Sequence, residues 1–260
     1  MSGALDPLGF SLGYDPDPDG TVARRTAEDL AESFFTTTAG TFRGLGWVDG
    51  ADNIDHYLRG AGAPREFTNE QLVRHPAFGA AEAANRQRFE ARTFTGNTGE
   101  DDLNQLLRTL PDGETATFED RWERPIWRGW NTSVPTPTAG EDEAGSPSSD
   151  DIYGARETVA AFGRTGTRSR GQFTARRHGD DIDIIGTVQH GLYTSRGPDT
   201  ERFDFNPGTV GAPQARTLEA VGHAAPFEMS YRRLQDVQAR VQRSLDGNLM
   251  LRSAIWGPMR

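Results

Sequence analysis

The chain has 260 residues, 38 of them acidic and 28 basic, for a formal charge of −10. Only 35% are hydrophobic, and 30 glycines with 15 prolines imply much loop beside a core, in one large domain or two small ones. No apolar run is long enough for a membrane-spanning helix, and the acidic, Pro/Gly-rich start has neither the basic nor the apolar region of a signal peptide.

The absence of cysteine excludes a disulfide scaffold, a thiolate metal site and a cysteine nucleophile. Every basic residue is arginine, so Schiff-base chemistry and a P-loop lysine are excluded as well. An acidic balance argues against a nucleic-acid partner, which needs a basic surface.

Residues 1–20 read as a flexible leader, with Pro and Asp alternating up to Gly20. A helical segment, residues 21–112, follows. From Thr21, Ala27, Leu30, Ala31, Phe34 and Phe35 recur at three- and four-residue steps and predict an amphipathic helix. A second helix is expected over Ala51 to Arg59, stopping at Gly60, with Ile54, Tyr57 and Leu58 on one face. Thr68-Asn69-Glu70-Gln71 has the form of a helix start, Phe78 to Phe89 reads as helical, and Asp101 to Leu110 makes a short helix closed by Pro111-Asp112-Gly113.

From Glu114 the period changes to two: Thr115, Thr117, Glu119 and Arg121 alternate with Ala116, Phe118, Asp120 and Trp122. Residues 113–131 are therefore assigned to strand. Residues 132–151 are rich in Pro, Ser, Gly and acid and read as a disordered loop or linker. In residues 152–260, His178-Gly179-Asp180-Asp181 joins Gly171–Arg177 to Ile182–Leu192 as a hairpin. Leu245-Asp246-Gly247-Asn248 joins Val237–Ser244 to Leu249–Trp256 in the same way, with Gln214 to Val221 a short helix between. Helices first and antiparallel strands second predict an α+β fold.

The five histidines, His56, His75, His178, His190 and His223, show no metal-ligand spacing, and no GxSxG, GxGxxG or HExxH motif occurs. His190 is the candidate among them, because it ends an apolar strand just before a loop. Trp122, Trp127 and Trp130 read as core aromatics beside the linker, with a carbohydrate or partner surface as the other reading. The most unusual stretch is Asp199 to Gly208, with three acids in six residues interleaved with two phenylalanines. If it is extended, Phe203 and Phe205 point one way and Asp204 and Asn206 the other. From spacing alone it is an acidic turn with its phenylalanines in the core. Its other reading is a carboxylate site for Mg²⁺ or for general acid–base work.

Two places in the chain resemble the colicin M-type bacteriocins. His56-Tyr57-Leu58 followed by Gly60 and Gly62 is similar to a helix end in that family's middle domain. Gly186-Thr187-Val188 followed, after a variable loop, by Glu201-Arg202-Phe203-Asp204-Phe205-Asn206 is similar to its strand and its acid-x-Tyr-Asp-Phe-Asn segment, and Leu218 to Gly222 falls where the family has a Leu-x-x-Leu-Gly helix end. The resemblance implies a helical region followed by an antiparallel, half-barrel-like toxin domain. The implied activity is a Mg²⁺-dependent phosphodiesterase that cleaves a lipid-linked peptidoglycan precursor (lipid II) between lipid and pyrophosphate. Such a toxin would be exported or injected without a signal peptide and act at the membrane surface of the target-cell periplasm, with an immunity protein as a further partner.

On this resemblance Asp204 and Glu201 are catalytic and metal-binding, while Phe203 stands where the family has a tyrosine hydroxyl. Val210 and Gly211 stand where it has a His-Arg pair. Substitutes are sought in His190 or His223 for the imidazole and in Arg202 or Arg216 for the guanidinium, with Asn206 beside the substrate. The competing readings are an effector of the same fold that binds a target or perturbs a membrane without hydrolysis, and a structural or interaction protein.

Overall fold

In a computed structural model, residues 20–98, 101–126, 158, 161–162, 165–194, 197–199, 201–205 and 211–260 are described. The expected leader, the 132–151 loop, Trp127, Trp130, Asn206 and Val210 lie outside them.

The helices form where periodicity placed them. The first, α1 (Thr21–Gly44), buries Ala31, Phe35 and Ala39, one residue every four. Of the expected stripe, Ala31 and Phe35 are buried and Phe34 packs partly on the core, whereas Ala27 is exposed and Leu30 is 66% exposed. Helix α2 (Val48–Arg59) starts three residues before the expected Ala51 and buries Ile54 and Tyr57. After the short strand β1 (Arg65–Phe67), α3 (Asn69–Val73) opens on a complete capping box between Thr68 and Gln71. Helix α4 (Pro76–Arg88) begins with proline in its first turn, where a missing N–H costs nothing, and runs into a π-helical turn, Phe89–Thr93. Helix α5 (Asp101–Thr109) completes the first half.

The second half is a sheet of strongly antiparallel character. Strands β2 (Thr115–Pro125), β3 (Gly166–His178), β4 (Asp181–Thr194) and β7 (Phe227–Arg243) lie side by side, and β8 (Leu249–Trp256) pairs with the end of β7. Short strands β5 (Gly197–Asp199) and β6 (Glu201–Phe203) pair with β4 and β7, and β1 joins the start of β7 in parallel. Helix α6 (Ala212–Ala220) precedes β7. The fold is α+β. Both hairpins form, the first through Gly179 at φ 62°.

Two apolar cores line the inner face. The first gathers Phe35, Tyr57, Phe78, Phe162, Leu192, Leu218, Phe227 and Tyr231; the second gathers Phe89, Phe94, Leu107, Phe173, Ile184, Val237 and Val241. Each draws on helices and strands together. In the second, the Phe173 ring lies over two glycines, Gly171 on its own strand and Gly186 directly opposite on β4. A Cβ at Gly186 would be driven into the Gln172 carbonyl and the Phe173 backbone and ring. We expect Gly186→Ala to destabilise the fold by about 2 kcal/mol, in the range for overpacking a close-packed site. Urea unfolding measures it, and a loss under about 0.5 kcal/mol would contradict the account.

Candidate functional site

Strand β6 pairs with the start of β7, setting Phe203 opposite Phe227. The two rings stack at 5.0 Å, while Phe205 meets Phe35 at 4.8 Å and Tyr57 at 5.3 Å. Both phenylalanines of the acidic segment thus pack onto the first core. Asp204 between them stays at the surface, 20% exposed, with Oδ2 3.5 Å from the Arg202 guanidinium. Arg202 is 64% exposed, so this pair holds its geometry weakly and contributes well under 1 kcal/mol. It is a guanidinium free to turn toward an anion.

A group that sequence reasoning could not place acts together with Asp204. Tyr57, on α2, donates its hydroxyl to Glu219 Oε1 of α6 at 2.6 Å. Burial, the Glu219 hydrogen bond and charge, and lastly the charge of Asp204 all push this phenol above its ordinary pKa. It therefore remains a protonated donor. Because Tyr57 is fully buried, it acts on anything outside only by holding Glu219. The cluster thus offers two carboxylates, one fixed by a phenol, and a mobile guanidinium. Arg216 is exposed one turn before Glu219 on α6. The Glu201 side chain and Asn206 lie outside the described residues.

His190 is not part of this cluster. It pairs with Arg233, six positions along β7 from Phe227, which is about 20 Å of strand. It is also completely buried, with Ser169 Oγ 2.7 Å from Nδ1. A strand-end histidine reads as site-directed only if the strand ends there. Strand β4 runs on to Thr194, which keeps His190 inside. His223 is exposed just beyond α6. Gly211, in place of the resemblance's arginine, adopts φ 88° against the Phe34 ring at the start of α6, a conformation and a space suited to glycine.

One further arrangement joins a hydroxyl, an imidazole and a carboxylate. Thr158 Oγ1 lies 3.2 Å from His75 Nδ1, and His75 Nε2 lies 3.1 Å from Asp49 Oδ2. All three are sealed from solvent, and Asp49 is also gripped by Arg74 at 3.0 and 3.1 Å and by Gln71 at 3.2 Å. Such an aspartate is a structural anchor for α2, α3 and α4. Trp122, one of the surface-aromatic candidates, is partly buried and donates to Thr93 Oγ1 at 2.9 Å.

Among the described residues no three acidic or histidine side chains converge as metal ligands. A hydrated Mg²⁺ commonly takes only one or two protein carboxylates and fills the rest of its shell with phosphate oxygens and water, and Asp204 and Glu219 are the carboxylates that act on Tyr57 here. No family model, curated protein or solved structure matches the chain.

Proposed function

We propose that this protein is an antibacterial effector of the colicin M type, hydrolysing a lipid-linked peptidoglycan precursor in the target-cell periplasm. The observation that carries the proposal is that Asp204, partly exposed beside Arg202, acts on the same buried Tyr57 hydroxyl that Glu219 holds. Asp204 accepts a proton from the water that attacks the lipid-proximal phosphorus. Arg202 faces the phosphate oxygens, and Glu219, fixed by Tyr57, supplies the second carboxylate. Water adds to phosphorus as the bond to the lipid oxygen breaks, and the proton taken up by Asp204 passes through solvent to the departing oxygen, leaving a lipid alcohol and a pyrophosphorylated saccharide. Bound Mg²⁺, held by Asp204 and Glu219, would neutralise the pyrophosphate charge.

A second reading, an effector that binds without hydrolysis, is favoured by the burial of His190 and by the backbone role of Gly211. Purified protein is incubated with the lipid-linked precursor and Mg²⁺ beside an active bacteriocin of this type. Release of pyrophosphorylated saccharide is expected, with a loss of about 10²–10⁴-fold in Asp204→Asn. No release, with growth inhibition from the periplasm that survives Asp204→Ala, establishes the second reading. Neither release nor inhibition leaves a structural or interaction protein.

A further inference from the structure

Midway along the sheet, the inner face turns from apolar to polar. Ser169 on β3, His190 on β4 and Arg233 on β7 stand in register, and Glu82, Asn85 and Arg86 of α4 lie over them. Leu192 and Tyr231 on one side belong to the first core, and Val188 and Val237 on the other belong to the second. A polar layer therefore divides the two cores, and α4 is fastened to the sheet across it. Asn85 Nδ2 donates to Ser169 Oγ at 2.8 Å and to the Thr167 carbonyl at 3.2 Å. Arg86 donates to Gln235 Oε1 at 3.2 Å, and Arg233 to Glu82 Oε2 at 3.1 Å.

Enclosed in this layer, the His190 imidazole has no carboxylate of its own. Ser169 Oγ accepts from Asn85 and lies within hydrogen-bond distance of Nδ1; when its hydroxyl donates there, the ring proton sits on Nε2. Among the described residues Nε2 meets no partner at hydrogen-bond geometry, and Gln235 is the side chain that comes nearest to serving it. The charged groups facing the ring are Arg86 from α4 and Arg233 from β7. Glu82, the nearby acid, is taken up by Arg233; Gln235 and Ser169 are neutral, and Tyr231 stays protonated beside Glu82. On β3, Arg168 is directed to Glu123 at 2.7 Å instead.

We propose that this layer is an acid-sensitive joint: protonation of His190 between Arg86 and Arg233 releases α4 from the sheet and uncouples the two cores. Burial first, then Arg86 and more weakly Arg233, lower the imidazole to about 4, against an opposing contribution from Gln235. An unfolded histidine titrates near 6.5. Between about 6.5 and 4 the opened chain binds a proton that the closed one refuses, so closure weakens as pH falls through that window. At pH 4 the opening equilibrium rises on the order of a hundredfold over its value at neutral pH. Glu82 works in the other sense: burial raises its pKa despite Arg233, so the closed state holds that proton more readily.

Hydrogen exchange on the full chain at pH 7 and pH 4, corrected for intrinsic rates, tests the joint. The expected result is a selective loss of protection in α4 and at 166–170, while 181–185 and 239–243 keep theirs. His190→Gln removes that acid-dependent loss, and Glu82→Gln retains it. The proposal is overturned if protection falls evenly, if it does not fall, or if His190→Gln loses it as the parent does. Should His190→Gln fail to fold, NMR titration of the parent imidazole decides. Titration below pH 5 in step with the loss in α4 supports the joint, and titration near 6.5 or without that loss overturns it.

Discussion

Asp49→Ala is expected to lower stability by about 3–5 kcal/mol, the cost of stranding buried partners of a removed charge. Asp49 is completely buried on α2 and answers three cationic or imidazole groups at once: His75 at 3.1 Å, Arg74 at 3.0 Å and Arg65 at 3.9 Å. Arg74 is about half exposed and can turn to water, and Arg65 keeps Asp52 at 3.8 Å, so most of the cost falls on His75, which is sealed from solvent. Arg65 has a second anchor in Asn53, whose own amide donates to the Ala161 carbonyl; the damage therefore spreads to the Phe162 segment of the first core. Urea unfolding of Asp49→Ala measures the loss, and the double variant Asp49→Ala/His75→Phe should recover part of it. A single-variant loss below about 1 kcal/mol would show that the anchor contributes little. The charge also sets a pH signature. Burial alone would raise this carboxyl, but the His75 hydrogen bond and the Arg74 charge outweigh it and hold the group below its ordinary value. Its contribution is thus complete above the unfolded carboxylate pKa, near 3.9, and is lost as pH falls through the lower folded value.

The elements that were legible in the sequence are those whose buried face is apolar. Helix α1, the capped start of α3 and both hairpins follow from spacing and turn chemistry. Strand β7 shows where that reading stops. It starts at Phe227, ten residues before the expected Val237, and alternates inward and outward with almost no break. Its inward positions 233 and 235 are arginine and glutamine, however, so apolar alternation is interrupted although burial is not. Strand β3 behaves alike, with Thr167 and Ser169 buried ahead of the expected start at Gly171, and α4 buries Glu82 and Asn85. The polar layer is invisible to any rule that equates inside with apolar. It becomes readable only when the strands are in register and each group's partner can be named. For the candidate site, the alternation of Phe203, Asp204 and Phe205 was legible, because one extended segment decides it. Tyr57 and Glu219 were not, because the hydroxyl and the carboxylate are 162 residues apart and meet only where α2 and α6 both pack against α1.

Arg233→Met is expected to cost about 3–5 kcal/mol at pH 7.5, since it leaves the Glu82 carboxylate without its cation inside the polar layer. The arginine spans three elements. It donates to Asn69 Oδ1 at 3.0 Å and the Asn69 carbonyl at 3.2 Å on α3, and to Glu82 Oε2 at 3.1 Å on α4, from its place on β7. Among the described residues Glu82 Oε1 meets no partner at hydrogen-bond geometry, and Tyr231 and Arg86, its remaining polar neighbours, act on it more weakly than Arg233. Even with Arg233 present, burial holds the Glu82 pKa above its ordinary value, and without it the carboxyl rises further and takes up a proton. A raised carboxyl means that the folded state binds the proton more readily than the unfolded one, so stability falls as pH rises through that folded value. The deficit of Arg233→Met should therefore shrink between pH 7.5 and pH 5.5, whereas a purely steric loss would be the same at both. In Glu82→Leu/Arg233→Met the two desolvated charges vanish together, and most of the lost stability should return at both pH values. Urea midpoints of the three variants and the parent at the two pH values separate these terms. A double variant as unstable as Arg233→Met, with no pH dependence in either, would place the cost in the lost contacts to Asn69.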